Sequence, residues 1–378
     1  MSDVVIAGYA RSPFHPAYRG ALAKVRPDDL AANTIKGLIE RTGVKAEDIE
    51  DVLMGCAFPE GEQGFNIARL VVLLADLPLS IGGMTMNRFC GSSMSAVHYA
   101  AGQIAMGAGE VFVAAGVESM SRVPMTGFNP MPNPELAKRS AAYIGMGDTA
   151  ENVAKKYELS RESQEAFALT SQKKAGEAIQ KGSFKDEIVP YTLPDGTVID
   201  ADGTPRPETT AEGLAGLKLS FDENGTVTAG TASPLTDGSA AVLVCSADYA
   251  AKNGLKVMAK VKSVAISGCA PELMGLGPVE SSKKALSRAG LSMDDIDIVE
   301  LNEAFSSQSL ACIGDLGIKE ERINLDGGAI AIGHPLGATG ARIVGKAASL
   351  LQREGKKYAL ATQCIGGGQG IATILETA

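Results

Sequence analysis

The sequence predicts an α/β protein built of two similar halves with a separate segment inserted into the first, and three features point there. Short β-rich runs alternate with helical patterns along most of the chain. The stretch from Ser119 to Ser233 breaks that alternation, and a strand, glycine-containing turn and small-residue helix occur twice.

The first strand is Val4-Val5-Ile6-Ala7, and helical spacing follows from Pro27 to Thr42. A turn then leads into the small-residue helix expected from Cys90 to Met106, and Val111-Phe112-Val113-Ala114-Ala115 reads as the next strand. The middle segment carries the proline-rich GFNPMPNPEL, the charged helical run SRESQEAFALTSQKKAGEAIQKG and the polar LPDGTVIDADGTPRPETT, so helices and long loops are expected there. Strands resume at Ala241-Val242-Leu243-Val244, Ile298-Val299-Glu300-Leu301 and Tyr358-Ala359-Leu360-Ala361-Thr362. Between them lie a helix from Val279 to Ala289 and, echoing the first half, one from Pro335 to Leu351. Alternation of this kind predicts mostly parallel sheets covered on both faces.

Composition narrows the function classes. A chain of 378 residues, 45% of them hydrophobic, has a large core to build, and two or three domains are expected. Net charge is −9, and basic pairs such as Lys173-Lys174 and Lys356-Lys357 are short and set among acids, so no nucleic-acid footprint is present. Six scattered cysteines without a C-x-x-C pair, beside only three histidines, argue against a disulfide framework or a structural zinc and for a reducing cytoplasm. The start MSDVVIAGYARSPF has a short apolar run without a basic leader, and nowhere do about eighteen apolar residues follow one another. A soluble protein without membrane insertion or a bacterial export signal is therefore expected.

Four short segments carry candidate chemistry. Cys90 in NRFCGSSMS stands at the start of a helix, where the helix dipole and free N–H groups favour a thiolate. Taken alone, however, a free cysteine in apolar surroundings is ordinary core filler. His334 in GGAIAIGHPLG is enclosed by glycine, an odd setting for a histidine that only packs. Cys364 in TQCIGGGQG lies between a strand and a glycine turn, and ELNEAF brings Asn302 and Glu303 to a strand end. Ligands of open α/β sheets bind at the carboxyl ends of strands, so these loops are expected to converge on one pocket. Two apparent nucleotide signals fail: in GARIVGKA, Ala347 stands where a P-loop needs Ser or Thr, and GGGQG lacks the dinucleotide spacing. Cys56, Cys245, Cys269 and Cys312 read as packing, and His15 and His98 as structural or solvated.

Together, NRFCGSSMSAV, NEAF, GGAIAIGHPLGATGAR and CIGGGQG, in this order over essentially the whole chain, resemble the thiolase family. The resemblance implies a duplicated α/β fold with a five-layered αβαβα core and an inserted loop domain. Residues 1–118 with 234–258 would form the first half, 259–378 the second, and 119–233 the insertion that binds CoA and makes oligomer contacts. It implies thiolytic cleavage of a 3-ketoacyl-CoA by CoA, or the reverse Claisen condensation. Cys90 would be the nucleophile activated by His334, and Cys364 the acid and base. One oxyanion hole would be His334 with a water held by Asn302, the other the backbone N–H groups of Cys90 and Gly366. Met146, Phe221 and Ser233 would line the pantetheine tunnel and Arg206 would face the nucleotide, although Met146 and Phe221 also read as core and Arg206 as solvated. CoA enters as substrate, with no permanently bound cofactor and no metal.

Three other readings are weighed against this one. A ketosynthase-like enzyme would lack the second cysteine, a cysteine hydrolase would pass its acyl group to water, and a non-catalytic CoA- or lipid-binding relative would have lost Cys90, His334 or Cys364. The short insertion, NPMPNPEL and IGMGDTAENV favour a degradative 3-ketoacyl-CoA thiolase over a biosynthetic acetoacetyl-CoA one. The resemblance further implies a homodimer or homotetramer and allows a hydratase/dehydrogenase partner subunit.

Overall fold

The computed structural model describes residues 3–378. The chain begins with β1 (Val4–Arg11), β2 (His15–Pro16), α1 (Pro27–Thr42), β3 (Asp51–Gly55), α2 (Ile67–Leu74), β4 (Gly82–Met86), α3 (Ser92–Met106) and β5 (Val111–Ser119). Proline and two aspartates in its first turn start α1, and Gly43 in the left-handed region ends it. The middle segment holds α4 (Pro134–Arg139), α5 (Met146–Lys156), α6 (Arg161–Lys181), the small ribbon β6 (Tyr191–Thr192) and β7 (Val198–Ile199), and α7 (Ala211–Ala215). Then come β8 (Thr236–Ser246), α8 (Ala247–Asn253), β9 (Ala259–Gly268), α9 (Gly277–Ala289), β10 (Ile298–Leu301), α10 (Ser306–Leu316), α11 (Ala329–Ile332), α12 (Thr339–Glu354), β11 (Tyr358–Ile365) and β12 (Gln369–Glu376).

One hydrogen-bonded path runs β10-β11-β12-β9-β1-β8-β5-β3-β4, with β2 added on β8. It narrows at β1 and β9, which share only the pairs Val5 with Lys260 and Ile6 with Ala259, so two sheets are joined at a seam. Packing then separates five layers. Helices α1, α2 and α8 cover the outer face of the first sheet, with Ile35, Leu38, Val71 and Tyr249 against Val52, Val113 and Leu243. Between the sheets lie α3 and α12, whose Met94, Val97, Ile343 and Leu351 meet Leu53 and Val242 on one side and Ala361 and Ile371 on the other. The fifth layer is α9 and α10 over β9 to β12. Because α12 is sandwiched, all but a few of its residues are buried.

The expectation of mostly parallel sheets is corrected. Only β3–β4, β3–β5 and β10–β11 are parallel, whereas β1–β8, β5–β8, β1–β9, β9–β12 and β11–β12 run antiparallel. Two causes were hidden in the alternation. A glycine turn folds Gln369–Glu376 straight back on Tyr358–Ile365, and β8 re-enters between β1 and β5 only after the long middle segment.

That segment is bolted down by buried charge. Arg11 on β1 donates to both oxygens of Asp202 at 2.6 and 2.8 Å and to Glu187 at 2.8 Å. Lys346 on α12 bonds Glu187 at 3.0 Å and Asp326 at 2.6 Å. The lysine of the P-loop-like string is therefore spent on carboxylates inside a helix, as expected of a helix interior.

Candidate active site

Cys90 stands in the turn between β4 and α3. The Ser92 hydroxyl closes that turn, accepting from the Arg88 N–H at 2.9 Å and donating to the Phe89 carbonyl at 2.6 Å. Phe89 is held at φ 44°, a conformation side chains seldom adopt, so the turn is tight and the following residue is presented from it. The backbone N–H groups of Gly366 and of Cys90 itself lie near enough to the Cys90 sulfur to favour its thiolate. Even so, burial pushes the thiol up to about 12, with the nearby Glu118 carboxylate adding to it and the two N–H groups lowering it. Burial of this half-buried thiol thus opposes the thiolate that the helix start favours.

His334 precedes α12, on a backbone that Gly333 bends through φ 104° with Thr236 packed closely beneath it. The Thr236 hydroxyl accepts the His334 N–H at 3.0 Å. On the ring, Nδ1 lies 2.6 Å from the Thr339 hydroxyl and Nε2 lies 3.3 Å from the Asn302 amide nitrogen. Thr339 in turn donates to the Pro335 carbonyl at 3.1 Å. One assignment gives every donor an acceptor: Nδ1–H donates to Thr339 and Nε2 keeps its lone pair, accepting from Asn302. Burial first, and then the Arg342 cation, hold the imidazole basicity down to about 3, so the ring is neutral.

Asn302 begins just beyond β10, anchored by its N–H on the Thr362 carbonyl at 3.0 Å. It is fully buried, and its Oδ1 has no partner among the described residues. Glu303 turns elsewhere: Ser171, Asn324 and the Ile330 N–H bind it at 2.6, 2.7 and 3.2 Å, which makes it a structural bridge.

Cys364 lies within β11, buried, opposite Gly370. Burial, and next the proximity of Cys90 and Cys312, raise its thiol well above the ordinary range. It packs with Ala304 and Phe305 of the NEAF segment and with Met146. The Met146 sulfur also borders Gly366, which sits beside the Phe89 ring. Phe221 makes an edge-on contact with Phe305 at 6.0 Å, and Ser233 donates its N–H to the Ala304 carbonyl at 3.0 Å. All of these residues therefore border one region, with a half-exposed Phe221 at its rim. Arg206 is the outlying one. It lines a cavity of about 250 Å3 with Gln172, Thr204, Ala229 and Ala232, and reaches the others only through that space.

Three residues of the site escaped sequence reasoning. Glu118, at the end of β5, accepts from the Gly337 N–H at 2.9 Å, the Ala57 N–H at 2.8 Å and the Gln63 amide at 2.8 Å, and so ties the GHPLG loop to the first half. Gln363 donates its amide to the Cys90 carbonyl, clamping β11 on the turn that carries Cys90. Thr339 orients the histidine. A carboxylate interrupting the apolar VFVAAGVES was the one available signal; the other two lie in segments where polar residues are unremarkable.

Residues 4–248 match the thiolase N-terminal domain profile and residues 255–377 the thiolase C-terminal domain profile. The chain is 49% identical over 388 residues to a 3-ketoacyl-CoA thiolase of Aliivibrio fischeri and 45% identical over 390 residues to one of Bacillus subtilis, with 100% of both chains covered each time. A 3-ketoacyl-CoA thiolase of Marinobacter nauticus is 49% identical over 385 residues, covering 99% of this chain and 98% of its own. With both halves matched and likeness running from end to end, the chain belongs to the thiolase family.

Proposed function

We propose that this thiolase, an acyltransferase, cleaves 3-ketoacyl-CoA with CoA to acetyl-CoA and a shortened acyl-CoA through an acyl group carried on Cys90. The substrate class rests on the relatives, all three named 3-ketoacyl-CoA thiolases. The single observation that carries the chemistry is Cys90 held against the strand of a second thiol, Cys364, by the Gln363 amide that donates to the Cys90 carbonyl. A lone buried cysteine needs neither.

The reaction starts from two neutral groups. As the Cys90 sulfur bonds to the 3-keto carbon, its proton passes to His334 Nε2, because neither a thiolate nor an imidazolium is stable in this site beforehand. Breaking the C2–C3 bond leaves its electron pair on the acetyl-CoA enolate, whose oxygen lies at His334 and a water on Asn302; the free Asn302 Oδ1 supplies an acceptor for that water. Cys364 then protonates C2. The resulting Cys364 thiolate takes the proton of the incoming CoA thiol, whose sulfur attacks the acyl carbonyl and expels Cys90; the departing Cys90 sulfur takes back the proton held on His334, which restores the starting forms. Charge on that carbonyl oxygen falls on the Gly366 and Cys90 N–H groups, each such donor contributing about 3 to 4 kcal/mol. CoA is bound as substrate by Met146, Phe221 and Ser233 along the pantetheine and by Arg206 at the nucleotide, so the segment 119–233 acts as the CoA-binding insertion between halves 1–118 with 234–258 and 259–378. No resident cofactor or metal takes part in these steps.

We further assign the protein to the cytoplasm, consistent with cysteines that are all free among the described residues and bacterial relatives. Among those residues no helix is long and apolar enough to cross a membrane. A homodimer is the assembly favoured by the uncharged edge strand β4, GGMTM, and by exposed Phe65 and Leu79 beside it. A tetramer, or a hydratase/dehydrogenase subunit, would use the separate apolar surface of Met125, Phe128 and Met131 in the insertion.

Incubation with acetyl-CoA followed by peptide mass spectrometry should place the acetyl group on Cys90, and acetyl-CoA should be released faster from a longer 3-ketoacyl-CoA than from acetoacetyl-CoA. Label on Cys364 alone would reverse the two thiols. Faster turnover of acetoacetyl-CoA would move the protein to the biosynthetic class.

A further inference from the structure

Glu300 and Arg342 form a buried ion pair directly behind the His334–Asn302 couple. Glu300 is on β10, two residues before Asn302; Arg342 is on α12, three residues after Thr339 and so one turn along the same helix face. Arg342 Nη1 meets Glu300 Oε2 at 2.7 Å, with side chains 2% and 0% exposed. Such a pair has to offset a large desolvation cost, and an apolar replacement of similar volume is often no less stable. This one is poorly satisfied: Glu300 Oε1, Arg342 Nε and Nη2, and the nearby Tyr9 hydroxyl are all buried without a hydrogen-bond partner among the described residues. Stability is therefore a weak reason for its presence. Its placement gives a better one.

We propose that the Glu300–Arg342 pair is a positioning device for the active site, tying the strand end that presents Asn302 to the helix turn that orients His334 and keeping a fixed cation beside the imidazole. It rests on the catalytic reading of His334 and Asn302 given above. Asn302 comes from the end of β10 and His334 from the approach to α12, and the Glu300–Arg342 bond joins those two elements close to the 3.3 Å contact between the two side chains. The cation has a second effect. His334 is bonded to the neutral Asn302, Thr236 and Thr339, and, after burial, Arg342 is the charge among the described residues that disfavours imidazolium. Around the pair itself, Lys346, Asp326 and Glu187 face Glu300. A histidine kept unprotonated is ready to accept the Cys90 proton at any physiological pH.

The test is the paired replacement Glu300→Gln with Arg342→Met, which leaves no orphan charge, compared with Arg342→Lys. With only three histidines in the chain, 15N-histidine NMR resolves each ring. In the wild type His334 should remain a neutral Nδ1–H form below pH 5. In the paired variant it should begin to titrate at higher pH, while His98, depressed by burial, Arg88 and Arg288, stays unchanged as an internal reference. The paired variant should lose about tenfold or more in kcat with KM for CoA within about twofold, as for other groups that orient a catalytic ligand. Arg342→Lys keeps the cation on a shorter head, so His334 should stay neutral and kcat fall only several-fold; it also serves if the paired variant does not fold, and wild-type kcat in it would overturn the tie. An unchanged His334 spectrum in the paired variant, whatever its kcat or Tm, would make the pair merely structural. Should the paired variant show the NMR change while the wild-type protein proves devoid of thiolase activity, the catalytic reading fails while the coupling stands.

Discussion

Cys90 shows how a residue's surroundings can reverse what its neighbours in sequence suggest. GSSMS after it does start a helix, yet burial against Leu336 and Phe58, with Glu118 nearby, raises its thiol against that effect. An acid whose folded pKa lies above its ordinary value is neutral until the pH passes the raised value. Alkylation of Cys90 by iodoacetamide should therefore be slow at pH 7 and keep rising above about pH 10, where an ordinary exposed thiol, with a pKa of about 8.5, has levelled off. A rate that saturates below pH 8 would show a resting thiolate, and with it an ion pair with His334. That Cys90, His334, Asn302 and Cys364 were candidates was legible because glycine and polar residues bracket them. Their protonation was not, since burial is a property of the fold and not of a nine-residue window.

At the scale of elements, the active site depends on how closely the two central helices approach. Gly340 at the start of α12 faces the first turn of α3, where a Cβ would come within 2.2 Å of the Met94 nitrogen and 2.9 Å of its Cα. The Ala341 N–H also donates to the Ser93 hydroxyl at 2.9 Å. Since those are backbone atoms, Gly340→Ala has to push the helices apart, moving Cys90 relative to His334. It should cost at least about 1 to 3 kcal/mol in denaturant unfolding, the range of overpacked cores. Turnover should drop more steeply than stability, because about 1 Å of misplacement can cost about a hundredfold in rate. Full activity with a lower unfolding midpoint would show that the helices tolerate the shift. The repeated turn-helix pattern at Cys90–Met106 and Pro335–Leu351 was readable as a duplication, but nothing in either copy says that the two helices share one layer.

For the whole molecule, the open end of the sheet matters most. β4 pairs β3 on one side only, its residues are half-buried and uncharged, and Phe65 and Leu79 nearby are 92% and 75% exposed. Natural edge strands usually carry charge, proline or a bulge against self-pairing, so a flat, uncharged one beside exposed apolar residues fits a partner strand from a second copy about a twofold axis. Sedimentation velocity should accordingly give twice the chain mass, and Met84→Lys on β4 should shift the protein to monomer. A wild-type monomer, or a Met84→Lys dimer of undiminished affinity, would place the interface elsewhere.

The sequence by itself determined the α/β class, the duplication, the inserted middle segment and the four motifs, because each is written in local spacing: apolar period, glycine at turns, polar residues at strand ends. Tertiary structure alone decided the antiparallel pairing of most strands, the common layer of α3 and α12, and the cross-links through Glu118, Gln363 and the Glu300–Arg342 pair. These join residues tens to hundreds of positions apart, and their energies come from burial and distance, quantities that exist only once the chain has closed on itself.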